Sequence, residues 1–289
     1  MSWRTVVITK RAKLSYKNDY LIIRNEDVKM IHLSEINTLI IDSTAVSITS
    51  YLISEMLSRK IKIIFCDEKR NPQGEVVSYY GSHNSSERIY NQIGWSDYSK
   101  VVWTRIIQEK ILNQANHLKS INNVNYEKLI IYAKDLVLFD ETNREGHAAK
   151  VYFNSLFGKE FSREDQNDTN YALNYGYAII LSQFNKEITA NGYLTQLGIK
   201  HHNIFNYFNL SSDLMEPFRP LIDKIVKDNF KQKFDGGMKV KLVDVLNHKV
   251  RIKNKDLYVS NAISVYVKSV INAIEKENVD LIEFFEYEL

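Results

Sequence analysis

Asp213 and Glu216 stand three residues apart, Arg219 follows three residues later, and a His201-His202 pair lies ten residues before Ser211, where this stretch opens. Carboxylate, imidazole and guanidinium in one short span can hold a divalent cation and a phosphate, which is the chemistry of phosphodiester transfer. Carboxylates at i and i+3 share a helix face and repel each other, and a cation between them relieves that repulsion. The same Asp-x-x-Glu spacing is also that of a helix capping box, and Pro217 suits a helix start. One acid can cap while the other binds metal. Imidazole is a poor ligand for calcium and an acceptable one for manganese, zinc or iron.

Two stretches upstream carry further candidates. Glu145 opens a helical pattern whose next turn holds the small residues Ala148 and Ala149, which let another helix approach closely. As a first-turn acid, Glu145 would also complement the helix dipole. Asn170, Asn174 and the tyrosines 171, 175 and 177 suit either a nucleic-acid groove or a tightly packed polar core helix, with Gly176 permitting a close crossing.

The elements that must position these residues divide the chain in two. Residues 1–80 read as strands with one helix: runs at 3–8, 13–23 (with Asn18-Asp19 as a hairpin turn), 28–31, 38–41, 61–65 and 74–80, and a helix over 47–59. Residues 81–96 read as a linker that begins Gly81-Ser-His-Asn-Ser-Ser86. From 97 to 289 helical periodicity dominates, with helices expected at 97–118, 143–156, 169–184, 212–230 and 261–274. The expected fold class is α+β, a small β-rich N-terminal domain followed by a larger all-α C-terminal domain.

Composition narrows the class. A chain of 289 residues, 44% hydrophobic, buries enough surface to need no staples. Its single cysteine, Cys66, lies in an apolar run and is expected to be a buried small side chain. No run reaches the roughly 20 apolar residues of a membrane span, and no leader pattern is visible, so a cytoplasmic protein without membrane contact is expected. The net charge of +3 says little, but residues 219–256 hold eleven Lys and Arg against five Asp and Glu, which suits a phosphate-bearing partner or a solvated face. The last residues, 280–289, are acidic and aromatic: a docking segment, or a terminal helix packing Leu281, Ile282, Phe284 and Phe285. No phosphate-binding Walker loop, Gly-x-Gly-x-x-Gly, Cys-x-x-Cys or Gly-x-Ser-x-Gly is present, which argues against nucleotide triphosphatases, dinucleotide enzymes, zinc fingers and serine hydrolases.

Four ordered stretches together resemble a known family. Glu145-Gly-x-Ala-Ala-x-x-Tyr-Phe, Asn170-x-x-Leu-Asn-Tyr-Gly-Tyr, Gly198-x-x-His201 and Asp213-Leu-Met-Glu-Pro-Phe-Arg-Pro220 are similar to the motifs of the CRISPR-associated integrase, the universal adaptation endonuclease that inserts new spacers into CRISPR arrays. The resemblance covers essentially the whole chain, and its length looks like the form found in systems with a single large effector nuclease (type II). It implies a magnesium or manganese site and catalytic residues at Glu145, His201 and Glu216, with Asp213 as a ligand or as the group behind the ligands. It leaves His202 and His147 as competing imidazoles. Arg219 and Lys224 are the expected phosphate contacts. The implied partners are double-stranded DNA, both spacer precursor and repeat, a second copy of the chain joined through the β-rich domain, and a small ferredoxin-like adaptation protein in a larger hetero-oligomer. A non-catalytic DNA-binding scaffold of the same complex is the alternative, and an unrelated helical protein holding a structural ion is a third.

Overall fold

The structure is a computed structural model that describes residues 4–76, 78 and 84–286. Its N-terminal part holds β1 (Arg4–Ile8), β2 (Ala12–Lys17), β3 (Tyr20–Arg24), β4 (Val28–His32), β5 (Ile36–Ile41), β6 (Val46–Ile48), α1 (Ser50–Ser58), β7 (Lys62–Cys66) and β8 (Pro72–Val76). They form two four-stranded sheets, ordered β1-β5-β7-β8 and β4-β3-β2-β6. The β2–β3 hairpin turns at Asn18 and Asp19, both in the left-handed region at φ 47 and 66, as a two-residue turn of matching twist requires.

In the first sheet β5 lies between β1 and β7, parallel to both, and all six of its residues are buried. A parallel strand covered on both faces is buried along its length; Leu39 to Ile41 supply an apolar run here, and Asn37 and Thr38 are buried polar residues, the Thr38 hydroxyl donating to Asn37 Oδ1 at 3.0 Å. Its side chains alternate between two cores: Leu39 and Ile41 join the N-terminal core, whereas Ile40, with Ile64 and Cys66 of β7, joins the core of the helical part. Cys66 is buried as expected, and burial pushes its thiol up to about 12, which leaves it inert.

The C-terminal part holds α2 (Ser85–Ile93), α3 (Tyr98–Ser120), α4 (Tyr126–Lys134), α5 (Arg144–Phe157), α6 (Asp168–Ala190), α7 (Asn209–Leu214), α8 (Arg219–Asp228), α9 (Gly236–Asp244), the hairpin β9 (Lys249–Ile252) and β10 (Lys255–Tyr258), and α10 (Val259–Glu275). The β-rich part followed by a helical part is the α+β organisation expected. Three details differ. The stretch 81–96, expected to be a linker, carries α2 within its described residues. Gln92 of α2 is buried and gives its amide to the carbonyls of Leu194 and Leu197 at 2.8 and 3.0 Å. The single helix expected over 212–230 is broken into α7, a 3-10 turn at Glu216–Phe218 and α8, because Pro217 and Pro220 lack the amide hydrogens that a continuous helix uses. The helical part is also not purely helical, since β9–β10 pair beneath α10.

The acidic tail packs as far as it is described. Ile282 and Phe285 are buried, Phe285 lies 4.4 Å from the ring of Phe218, and the Glu286 amide donates to the Arg251 carbonyl. Residues 287–289 of that segment lie outside the described residues. No described helix is long and apolar enough to cross a membrane.

Candidate metal and phosphate site

Helix α3 is the platform of the site. Its apolar stripe faces the core, and a second stripe at i, i+3, i+4 and i+7 holds Lys110, Asn113, Gln114 and His117, all buried. Asn113 donates to the carbonyl of Pro217 at 3.0 Å and so fixes the 3-10 turn that carries Glu216. The start of α5 is held from outside: the backbone amides of Arg144 and Glu145 donate to Asp140 at 2.6 and 3.0 Å, satisfying two orphan donors of the first turn. Glu145 and Glu216 thereby reach the same point from separate elements.

That point is the ammonium of Lys110. Its Nζ lies 2.6 Å from Glu145 Oε1 and 2.5 Å from Glu216 Oε2. The second approach falls outside hydrogen-bond geometry, so Glu216 Oε2 is buried with a charge contact and no hydrogen bond. On its other oxygen Glu216 accepts from Arg219 Nε at 2.9 Å. Burial would raise the Glu216 carboxyl, but Arg219 and then Lys110 outweigh it and hold it down at about 2. Burial likewise works against a charge on Lys110, and Glu145 and Glu216 outweigh it, leaving its pKa above the ordinary lysine range. Arg219 also stacks over the ring of Tyr177, 4.6 Å from its centroid.

His201 is held by Asp213. One Asp213 oxygen accepts from the backbone amides of Ile199 and Lys200 at 2.6 and 3.0 Å, and the other receives His201 Nδ1 at 2.6 Å. A carboxylate already accepting backbone N–H groups is an acceptor toward the ring as well, so Nδ1 carries the proton and Nε2 the lone pair. The bond to Asp213 raises the imidazole pKa, and the more distant charges of Glu216 and Glu145 add to that. The loop can close on Asp213 only because residue 198 is glycine: a Cβ there would lie 2.3 Å from the His201 carbonyl and 2.9 Å from Asp213 Oδ2. Asp213 therefore does not cap a helix, although its spacing to Glu216 allowed that.

The glutamates of the expected set thus share one contact, and His201 stands within the reach of their charge. Among the described residues no three His, Cys, Asp or Glu side chains are gathered closely enough to hold a metal, because Lys110 lies between the acids and His201 turns toward Asp213. His202 lines a separate cavity with Trp95 and Tyr207, and His147 is exposed against Tyr132. Lys224 is not brought to the site; it pairs with Asp228 at 3.6 Å along α8.

A cleft of about 180 Å³ opens beside Lys110 and Glu216, lined also by Gln114, Arg163, Tyr177, Arg219 and Asp223 among others. Asp223 is fully buried; burial pushes its carboxyl up to about 6, against the hydrogen bond from Tyr177 and the charge of Arg219. His117, hydrogen-bonded to the Tyr152 hydroxyl at 2.6 Å, is pushed down to about 4, first by burial and then by Lys224 and Lys227. Asn170 and Asn174 hold Arg163 rather than line an open groove, so the 170–177 stretch is a packed polar helix from which Tyr177 reaches the cleft. Gly176 admits Ile222 of α8, which a Cβ would meet at 2.6 Å. Sequence reasoning offered Tyr177 as a groove or core residue and missed Lys110, Arg163 and Asp223. The signal for Lys110 was its place in a polar stripe of helical period beside the apolar stripe of α3.

Residues 5–235 match the family described as CRISPR associated protein Cas1. The chain belongs to this family. A relative in Neisseria meningitidis serogroup C (strain 8013), named CRISPR-associated endonuclease Cas1, is 32% identical over 286 residues, covering 96% of this chain and 94% of its own. Among solved structures, a casposase bound to integration product aligns at TM-score 0.76 with 17% identity, covering 96% of this chain and 92% of that one. A Cas6-RT-Cas1–Cas2 complex aligns at TM-score 0.72 with 17% identity over 99% of this chain, which spans 36% of that longer one. These two likenesses show the Cas1 fold.

Proposed function

We propose that this chain is a metal-dependent DNA integrase and endonuclease of CRISPR spacer acquisition, in the form that serves systems with a single large effector nuclease. A 3′-hydroxyl of an incoming DNA fragment attacks a phosphodiester at the repeat boundary. A new phosphorus–oxygen bond forms and the bond to the leaving 3′-oxygen breaks. The observation that carries this reading is the convergence of Glu145 and Glu216, from separate elements, on one buried cationic point at the wall of a cleft.

As the side chains stand, Lys110 occupies the point between the acids; with its ammonium moved off them, the donor set suits a divalent ion. Two carboxylates, of which Glu216 Oε2 is buried without a hydrogen bond, and a lone pair at His201 Nε2 are donors suited to magnesium or manganese. Glu145, His201 and Glu216 would hold that ion, which supplies Lewis-acid stabilisation of charge on the phosphate. Asp213 fixes the imidazole tautomer and its orientation. Arg219, partly exposed beside the cleft, keeps two guanidinium nitrogens for phosphate oxygens. Lys224 contributes charge along the basic surface of 219–256.

Both strands of an array must be cut and joined, so two such sites act in one assembly. The likeness to Cas1–Cas2 complexes supports a hetero-oligomer and the casposase bound to integration product supports DNA binding; the partner in this reading is a small ferredoxin-like protein. The exposed apolar side chains Val28 and Met30 on β4, an edge strand, support dimerisation through the β-rich part, with the complex working in the cytoplasm. A non-catalytic scaffold would keep the basic surface without needing the two glutamates to converge.

Strand transfer into supercoiled array DNA, with manganese or magnesium and with or without the small partner, tests the proposal. Joined product that disappears with chelator while the fold survives is the expected result. DNA binding without any joining, in either metal and with the partner present, would establish the scaffold. A fold that collapses in chelator would establish a structural ion.

A further inference from the structure

The arrangement around Lys110 has more order than a metal site needs. Its side chain is about 10% exposed, its ammonium touches one oxygen of each glutamate, and Arg219 takes the remaining close oxygen of Glu216. Two carboxylates are therefore matched by one ammonium and one guanidinium, and the cluster is neutral without any ion. Glu216 is buried and Glu145 is half-buried; left this close with no cation between them, the two carboxylates would repel and swing apart or take up a proton.

We propose that Lys110 is a built-in counter-cation: its ammonium holds Glu145 and Glu216 converged in the metal-free protein and competes with the divalent ion for the same two carboxylates. The inference rests on the metal reading above and adds to it a displacement. When the ion binds, Lys110 gives up its two oxygens. The cluster then carries two surplus positive charges at the wall of the cleft, and a phosphodiester anion is what neutralises them. Metal binding and DNA-phosphate binding become coupled through one lysine. Lys110 is in this sense a positioning residue, and it sets a threshold: metal affinity is held low until substrate supplies negative charge.

The test uses the full chain, stripped of metal by chelator and titrated with manganese by calorimetry, with melting temperature followed in parallel. Lys110→Met and Lys110→Gln remove the charge, and Lys110→Arg keeps it. Both neutral variants should melt lower than wild type in chelator and bind manganese about tenfold or more tightly, because a competitor of the same sign has gone. Lys110→Arg should restore wild-type values in both readouts, which a purely space-filling role would not do. A neutral variant that unfolds in chelator must recover its fold with manganese; one that stays unfolded overturns the proposal, as does manganese affinity unchanged or weaker in Lys110→Met. Failure of the underlying reading has a different signature: Glu145→Gln and Glu216→Gln would bind manganese as wild type does.

Discussion

Among the described residues, the lysine cluster at the candidate site and the one beside the first sheet are built differently. At the site, Lys110 meets two carboxylates that come from α5 and from the turn before α8, and its charge is reinforced. At the boundary between the first sheet and α6, Lys62 has Glu75 at 2.6 Å, and Lys186 reaches only the Asn37 amide oxygen at 3.0 Å and its carbonyl at 3.4 Å. There burial wins. It lowers the Lys62 pKa despite Glu75, and it lowers Lys186 to about 8 despite Glu187. Buried charge alone does not mark a functional site. What marks it is acid gathered from separate elements in enough quantity to balance every nearby cation.

The largest expected effect separates the two clusters by activity. Glu145→Gln, His201→Ala and Glu216→Gln should each lower strand transfer by on the order of 10³-fold, the scale of losing a principal electrostatic element. Glu216→Gln should in addition cost about 3 kcal/mol of stability, since it leaves Lys110 and Arg219 short of a buried partner. Urea unfolding beside a strand-transfer assay checks both. A fully active Glu145 or Glu216 variant would place the site on a level with the boundary cluster. Asp213→Asn comes next. It should lower activity about 10- to 100-fold through the orientation of His201, and it should weaken manganese binding.

The boundary cluster gives an effect of opposite sign. A lysine whose folded pKa is lowered leaves the unfolded chain holding more protons between the two values. Stability should therefore rise as pH increases from about 8 toward the unfolded lysine value. Lys186→Met should flatten that slope and stabilise the protein at neutral pH by about 1 kcal/mol, with strand transfer unchanged. Lys110 runs the other way: its contribution is complete below the unfolded lysine pKa and is lost only as pH rises through its raised folded value. A Lys186→Met variant that is less stable at neutral pH would contradict the contrast. The smallest effect belongs to Lys224→Ala. This exposed side chain should change stability by less than about 0.5 kcal/mol and reduce the salt dependence of DNA binding by about one counterion.

What could be read from the residues alone follows from how local the signal is. The hairpin at Asn18-Asp19, the buried run of β5 and the amphipathic helices α3, α5, α6 and α10 are written in turn chemistry and periodicity, and they stand close to where those patterns put them. Elements without a clean period escaped. α9 begins on Gly236-Gly237, which resembles a loop, and the β9–β10 hairpin turns on Lys253-Asn254, both left-handed without a glycine. The prolines of 217 and 220 signalled a helix start, but their effect is to end α7 and begin α8 with Glu216 held between. Within the site, the ordered motifs pointed to Glu145, His201 and Glu216, while Lys110 lies 35 residues before Glu145 and is joined to the glutamates only by the packing of α3. Spacing along a chain cannot report a contact that exists only after three helices have met.

Glu145, His201 and Glu216 are proposed to share one divalent ion. Anomalous diffraction from crystals of the full chain grown with manganese tests this directly. A manganese peak bonded to a carboxylate oxygen of each glutamate and to His201 Nε2 is expected, with the Lys110 ammonium moved away from both acids. A peak bonded to other residues, or Lys110 still bridging the two glutamates beside saturating manganese, would contradict a shared ion.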